Sequence, residues 1–155
     1  MVLVHPEIHW NTGNIGRTCL GAGAVLHLVK PLGFSLENRM VKRAGLDYWH
    51  LVKPRVWDDY HDFLSGMKVL HGEVALLTKT GEHSFRELPD IPRLFLVFGS
   101  ETRGLPDEIL RFHGPERTFH IPISGQIRSL NLSTAAAVVL YESLRFAESG
   151  LHAWS

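Results

Sequence analysis

The segment at residues 118–134, TFHIPISGQIRSLNLST, restricts the fold most, because a strand, a polar loop and a helix start follow one another directly. Its first four residues alternate in polarity and predict a strand, which must end before Pro122 because proline has no N–H for a sheet ladder. Asn131 or Ser133 can then cap a helix predicted over residues 132–147. In an open α/β sheet this arrangement commonly forms a ligand crevice, although helix capping alone would explain both polar residues.

Short apolar runs along the rest of the chain predict five more strands, at residues 2–4, 24–29, 48–52, 73–78 and 94–98. Helical patterns between them predict helices at residues 14–22, 36–44, 57–64 and 107–112. The run at residues 94–98 is apolar throughout, which is typical of a central strand covered on both faces. The alternation predicts one α/β domain with a mostly parallel, six-stranded sheet flanked by helices.

Length and composition fit one ordinary globular domain, since the chain has 155 residues and 45% of them are hydrophobic. A single cysteine, Cys19, excludes an internal disulfide and fits a reducing compartment, so we expect a cytoplasmic protein. The apolar start at residues 1–4 is too short for a signal peptide, and no apolar run approaches membrane-spanning length.

Charge is balanced over the whole chain, with 16 Lys plus Arg against 16 Asp plus Glu. Net charge therefore does not indicate a nucleic-acid partner, and an RNA partner would need a local basic patch. One candidate patch consists of Arg39, Lys42, Arg43, Lys53 and Arg55. A solvated helix face followed by a strand end would explain the same residues.

Two other kinds of site have little support in the sequence. His5 and His9 are four residues apart, as metal ligands on a helix can be, but Pro6 argues against a helix there and no third ligand is obvious. The loop GSETRG at residues 99–104 lacks the lysine of a P-loop and the glycine spacing of a dinucleotide site. The sequence therefore predicts a site without a metal ion.

The position of Arg17 has two interpretations. Residues 11–14 have turn and cap chemistry, so the helix predicted after them places Arg17 in its first turns, where a cation opposes the helix dipole. Arg17 is then either an exposed residue whose small penalty is tolerated, or a residue held there to meet an anionic or hydroxyl-bearing substrate. The residues alone leave both open.

The predicted last helix, at residues 132–147, is apolar on most of its faces. A single sheet covers only one side of a helix, and a helix that is apolar all round is buried all round. We therefore expect its other side to meet a second subunit.

Three motifs occur in order along the chain: NTGNIGRTC at residues 11–19, LVFGSETRGLP at 96–106 and IPISGQIRSLNLS at 121–133. They resemble the three motifs of the SPOUT, or α/β-knot, methyltransferases. With PLGF at residues 31–34 and AGLDY at 44–48, the chain resembles in particular the small bacterial tRNA (cytidine/uridine-34) 2′-O-methyltransferases over nearly its whole length. The resemblance implies a deep trefoil knot in the carboxyl-terminal part and a homodimer paired through the first and last helices.

The same resemblance implies a chemistry. S-adenosylmethionine would donate a methyl group to the ribose 2′-hydroxyl of the wobble nucleotide, position 34 in the tRNA anticodon, without a metal ion. The positions that match the family's cofactor loops are Leu76, as an apolar wall, and Gly99, Ile121, Ser129 and Leu130.

The positions that match the family's catalytic residues are Asn11, Arg17, Glu101, Ser129 and Asn131. A guanidinium stays protonated, so we expect Arg17 to orient phosphate and stabilise a developing alkoxide rather than act as a base. Two alternatives are a ribose methyltransferase of the same superfamily that acts on rRNA or on another tRNA position, and a non-catalytic RNA-binding module.

Overall fold

The computed structural model describes residues 1–36 and 48–145, which form one parallel sheet with helices on both faces. The strands are β1 (Val2–Val4), β2 (His27–Val29), β3 (Arg55–Trp57), β4 (Val74–Leu77), β5 (His83–Ser84), β6 (Phe95–Phe98) and β7 (Thr118–His120). The helices are α1 (His9–Gly21), α2 (Trp49–Val52), α3 (Tyr60–Met67), α4 (Asp107–His113) and α5 (Leu132–Ser143). Within the described residues, no helix is long and apolar enough to cross a membrane.

The strand order is β3-β2-β1-β6-β4-β7-β5, and every pairing between these strands is parallel. β6 lies at the centre, where Val97 pairs with Val2 on one side and Leu76 on the other. All four residues of β6 are buried, which confirms the prediction of a central strand from its unbroken apolar run.

Two hydrophobic clusters pack on opposite faces of the sheet. Residues of α1 and α5 build one cluster with alternate strand residues such as Ala75 and Leu77. The other cluster contains the intervening residues Val74 and Leu76, packed with Phe63 of α3 and residues of α4. Successive residues of a strand point to opposite faces, so each residue of β4 belongs to a defined side of the sheet.

The sheet has seven strands in the described residues rather than the predicted six, and the third predicted strand is wrong. Residues 49–52 form the short helix α2, and the strand follows at Arg55–Trp57. Short apolar runs do not distinguish a strand from a buried helical turn. Here the ring of Trp49 packs against α1 at Gly16, where an added Cβ would lie 2.7 Å from the ring. The two-residue strand β5 adds the seventh.

Helix α1 begins at His9, five residues before its predicted start, so residues 11–14 are helical and not a turn. The apolar Ile8 at the helix start cannot cap it. The carboxylate of Glu101 lies beside the helix start instead, where it accepts hydrogen bonds from the backbone N–H groups of the two residues before the helix, Glu7 at 2.8 Å and Ile8 at 3.2 Å. A negative charge is stabilising at a helix N-terminus. Arg17 consequently lies well inside the helix, and the predicted dipole penalty at a first turn does not apply.

The other helices follow the predictions closely. Helix α5 begins at Leu132 as predicted, because the side chain of Asn131 accepts the N–H of Ser133 at 2.9 Å. Helix α4 matches its prediction within one residue, and α3 lies three residues later than predicted. Helix α5 ends at Ser143, so residues 144 and 145 are not helical as predicted, and residues 146 and 147 fall outside the described residues. The helix predicted at residues 36–44 also falls outside them, except for its first residue.

Candidate active site

A cavity of about 660 Å³ opens at the carboxyl ends of β6, β4 and β7, which are neighbours in the sheet. Its walls include residues 77–80, 98–105 and 128–132, together with Ile8 and Asn11 of the α1 region. The carboxyl edge of an open parallel sheet is the usual place for a ligand site. The second and third sequence motifs therefore form this wall together, with the start of the first motif beside them.

The loop after β6 is a tight turn that depends on two glycines. Ser100 and Gly104 exchange backbone hydrogen bonds of 3.1 and 2.9 Å, and Gly104 has a φ of 72°. A Cβ at Gly99 would overlap the backbone of Gly104 and Leu105. Gly99 is thus required by the turn itself, and its backbone faces the cavity.

A chain of side-chain hydrogen bonds joins all three motifs. The Asn11 Nδ2 group donates to Glu101 Oε1 at 3.0 Å, and Asn131 Nδ2 donates to Asn11 Oδ1 at 3.1 Å. The carboxylate can only accept, so it fixes which way the Asn11 amide points. Asn11 is 5% exposed, so its two polar groups depend on these partners.

The remaining predicted cofactor residues divide into two groups. Ile121, Ser129 and Leu130 line the cavity, with Ser129 exposed in the loop before α5. Leu76 is fully buried in the cluster between the sheet and helices α3 and α4, so it does not line the cavity. Its neighbour Leu77 lines the cavity instead.

Arg17 is exposed and lies outside the lining of the cavity of its own chain. It follows Asn11 by six residues on α1, which corresponds to about 9 Å along the axis and about 240° of rotation. Its guanidinium carbon lies 5.3 Å from the ring centre of Tyr48, whose hydroxyl donates to the carbonyl of Gly13 at 3.3 Å. The structure therefore brings four of the five predicted catalytic residues to one place and leaves Arg17 apart.

A family model for the SpoU rRNA Methylase family matches residues 1–141 of this chain. The chain belongs to this family. A relative named tRNA (cytidine(34)-2′-O)-methyltransferase, from Methylovorus glucosotrophus, is 47% identical over 152 residues, covering 94% of this chain and 93% of the relative.

Two solved structures extend the comparison. One, described as giving structural insights into the 2-OH methylation of C/U34 on tRNA, is 43% identical with a TM-score of 0.84, covering 93% of this chain and 92% of the other. The second is an AdoMet-bound rRNA methyltransferase from Sinorhizobium meliloti, 27% identical with a TM-score of 0.76. This chain covers 56% of that longer protein, while 96% of this chain is matched.

Three cations of this SpoU methylase line the cavity although the sequence did not single them out as site residues. Lys79, Arg103 and Arg128 are all exposed and lie in the loops after β4, β6 and β7. Their position directly after predicted strands is a signal that could have identified them, because those strand ends meet at one edge. Exposed cations at a cavity mouth suit phosphate groups.

The strongly shifted pKa values belong to the core rather than to the cavity. Burial, followed by the charges of the chain's amino terminus and Arg55, lowers the pKa of His27 to about 4. Burial is also the main cause that lowers the pKa of His113 to about 4. Burial raises the pKa of Cys19 to about 11, so the thiol is a poor nucleophile at neutral pH. These three groups act in packing.

Among the residues that the structure describes, the one group of three close potential metal ligands is Asp59, His61 and Asp62. All three are exposed and lie outside the cavity lining. His9 begins helix α1, whereas His5 precedes it with a φ of 54°. The expectation of a metal-free active site stays a prediction.

Proposed function

We propose that this SpoU methylase transfers a methyl group from S-adenosylmethionine to the ribose 2′-hydroxyl of the wobble nucleotide, position 34, of tRNA. The observation that carries the proposal is the hydrogen-bonded chain Glu101–Asn11–Asn131, which joins the three motifs at one cavity. The names of close relatives at 41 to 48% identity support the choice of substrate. The proposal also places the protein in the cytoplasm.

The cavity fits the cofactor in size and in chemistry. Pockets for small molecules span roughly 300–1,000 Å³, and this one holds about 660 Å³. The backbone groups of Gly99, Ile121 and Leu130 would meet the adenine and ribose, with Leu77 as the apolar wall and Ser129 as a polar contact. When bound, S-adenosylmethionine supplies an electrophilic methyl group, so the reaction needs no metal ion.

The protein's part in the reaction is to orient two substrates and to stabilise negative charge on the ribose oxygen. Orientation alone can lower a barrier by several kcal/mol, about 7–11 in the best cases. Ser129 and Asn131 lie at the cavity wall, where they would hold the nucleotide, while Asn11 and Glu101 hold the loops in place. The permanently charged Arg17 would bind the adjacent phosphate and stabilise the developing alkoxide.

A homodimer would bring Arg17 to a cavity. The side chain is exposed on α1, outside the cavity of its own chain, so the site is complete only if a neighbouring subunit presents it. Apolar side chains on α1 and α5 support a pairing surface there, since Leu20, Val138 and Tyr141 are 40%, 39% and 45% exposed. Val139 is fully buried in its own chain and belongs to the core rather than to this surface.

Binding of RNA would rest on exposed cations, of which Lys79, Arg103 and Arg128 line the cavity. Lys53 and Arg55 of the predicted basic patch are exposed, whereas Arg39, Lys42 and Arg43 fall outside the described residues. A wobble nucleotide lies in a single-stranded loop, where its ribose is reached without melting a duplex. Because phosphate contacts release counterions, activity should fall steeply as salt rises. Replacing Lys42 and Arg43 together by alanine should raise the KM for tRNA with little change in cofactor binding.

We include the trefoil knot in the proposal because of the family resemblance and of the chain path. After β7 the chain lines the cavity beside the ends of β4 and β6, and α5 then packs against α1. The backbone path of an experimental structure should remain a trefoil knot when the path is shortened stepwise from both ends. A trace that reduces to a straight line would exclude the knot.

Methylation of purified tRNA, followed by nuclease mapping of the product, tests the function directly. Tritium should pass from labelled cofactor to tRNA, and the modified ribose should map to position 34. Label at a ribose outside the anticodon loop, on a base, or on rRNA alone would overturn the substrate assignment. Absence of any transfer by a folded protein that binds tRNA would favour the RNA-binding module instead.

A further inference from the structure

Two glutamates lock the start of α1 to the loop after β6 in a reciprocal way. Glu101 of the loop accepts the backbone N–H groups of Glu7 and Ile8, at 2.8 and 3.2 Å. In return, Glu7 accepts the backbone N–H of Thr102 at 3.1 Å and its hydroxyl at 2.7 Å. Hydrogen bonds to carboxylates are stronger than those between neutral groups, so these four bonds hold two distant segments in one geometry.

The PLGF segment supports Glu7 from another direction. The N–H of Gly33 donates to the carbonyl of Pro6 at 2.9 Å. A Cβ at Gly33 would lie only 2.7 Å from both the Cα and the carbonyl oxygen of Glu7, so glycine is required for this close approach. The backbone at Glu7 is therefore packed against Gly33 and bonded to the loop at residues 101–102. This contact also gives a structural reason for a glycine in a segment that the function does not otherwise use.

Glu7 itself lies outside the lining of the cavity, whereas Glu101 and Thr102 belong to it. Glu7 can thus influence a ligand in the cavity only through the residues that it holds. The loop is otherwise exposed at residues 102–104, so the two bonds to Glu7 are its tether at Thr102. A misplacement of about 1 Å can slow a positioned reaction by as much as about a hundredfold, so a loop that contacts the ligands depends on the bonds that hold it.

We propose that Glu7 is a positioning residue of the cofactor site: backed by Gly33, its carboxylate fixes the loop at residues 100–104 and so sets the shape of a cavity that it does not touch. The inference rests on the proposed function, because it takes the cavity to be the S-adenosylmethionine site. The same tether joins the cofactor loop to the helix that carries Asn11 and Arg17.

Calorimetric titration with S-adenosylhomocysteine tests the role without requiring turnover. Glu7→Ala should raise the Kd by about tenfold or more, and Glu7→Gln, which keeps one acceptor oxygen, should raise it less. Glu87→Ala is the matched control, because the Glu87 carboxylate also accepts a backbone N–H, that of Ser84 at 2.7 Å, outside the cavity. Its Kd should stay within about twofold of the wild type.

Variants of the partners separate positioning from general loss of structure. Thr102→Ser keeps the hydroxyl and should bind like the wild type, whereas Thr102→Val should bind more weakly. Combining Thr102→Val with Glu7→Ala should add little to Glu7→Ala alone, because Glu7→Ala already removes the hydroxyl bond that Thr102→Val breaks. Gly33→Ala should weaken binding as Glu7→Ala does.

The outcomes distinguish this inference from the proposed function. A folded wild type that does not bind S-adenosylhomocysteine would refute the cofactor site. Tight binding by the wild type and equal binding by Glu7→Ala and Glu7→Gln would refute the role of Glu7 alone. Fully additive losses in the Glu7 and Thr102 variants would mean that Thr102 contacts the ligand independently, which would also overturn the tether.

Discussion

Replacing Asn11 by alanine tests whether the hydrogen bonds that join the three motifs stabilise the protein. The variant removes the donor to Glu101 and the acceptor for Asn131, which lie 3.0 and 3.1 Å away. The Asn11 side chain is buried, so water cannot replace it freely, and its loss leaves Glu101 with its two backbone donors.

The expected cost follows from these contacts. A hydrogen bond to a charged group contributes about 1.5–3 kcal/mol and one between neutral groups about 0.5–1.5 kcal/mol. Because Glu101 keeps other donors and Asn131 is exposed to water, the sum should lie near the lower limit, at about 2 kcal/mol. Alanine regains up to about 0.7 kcal/mol as a better helix former. We expect a net loss of about 1.5 kcal/mol, which a domain with about 5–15 kcal/mol of stability survives.

Asn14→Ala is the matched control, since Asn14 is an exposed residue of the same type on the same helix. It gains the same helix propensity without breaking the network, so it should be slightly stabilising. Urea denaturation followed by circular dichroism measures the free energy of unfolding of both variants. If Asn11→Ala is no less stable than Asn14→Ala, the network does not stabilise the fold and this reasoning is refuted.

Asn11→Asp adds a dependence on pH. Its carboxyl would face the Glu101 oxygen, and two carboxylates this close do not both ionise readily, so the pKa of the introduced acid rises in the folded state. The folded variant then binds more protons than the unfolded chain. Its stability relative to the wild type should be greatest near or below the unfolded pKa of about 3.9 and should fall as pH rises toward the raised folded value. An equal loss at pH 5 and pH 8 would contradict the expected contact with Glu101.

Three further predictions concern other parts of the molecule. Arg17→Ala should lose most turnover while keeping its affinity for S-adenosylhomocysteine. Arg17→Lys should restore little of the turnover, because an ammonium lacks the planar fork of a guanidinium. Full activity of the lysine variant in a tritium-transfer assay would show that a point charge is sufficient. Val138→Glu changes an exposed residue and should convert a dimer into a monomer in analytical ultracentrifugation, whereas Val139→Glu places a charge in the core and should unfold the chain. A wild type that is monomeric at micromolar concentration would exclude the dimer. His27 and His113 have folded pKa values of about 4, below the unfolded value of about 6.5. Each should therefore lower the free energy of unfolding by up to about 2 kcal/mol as pH falls from 7 to 5. His27→Gln should make the free energy of unfolding, measured by urea denaturation, depend less on pH.

The sequence predicted the parts of the fold that depend on local burial and local capping. The apolar run at residues 94–98 had to be covered on both faces, and β6 lies at the centre of the sheet. Asn131 carries its capping oxygen within two residues of the N–H that it accepts, so the start of α5 was also predictable. Polar loops that follow parallel strands meet at one edge, which is why the cavity lies where the residues at 118–134 indicated.

Local pattern was insufficient where a distant residue decides the structure. Helix α1 starts at His9, where Glu101, more than 90 residues away in sequence, binds the backbone N–H groups of the two residues before the helix. Residues 49–52 are helical because Trp49 packs on Gly16 of α1, although their apolar run is equally compatible with a strand.

Only the tertiary structure decided which residues meet at the site. Leu77 rather than Leu76 lines the cavity, because neighbouring strand residues face opposite sides and a motif match does not fix that parity. Asn11 and Asn131 are 120 residues apart in sequence but 3.1 Å apart in the fold. Residue type, spacing and periodicity determine what each segment can form and what chemistry it can offer. Which distant donor reaches which acceptor depends on how the segments pack, and this holds for the tether between Glu7 and Thr102 as well.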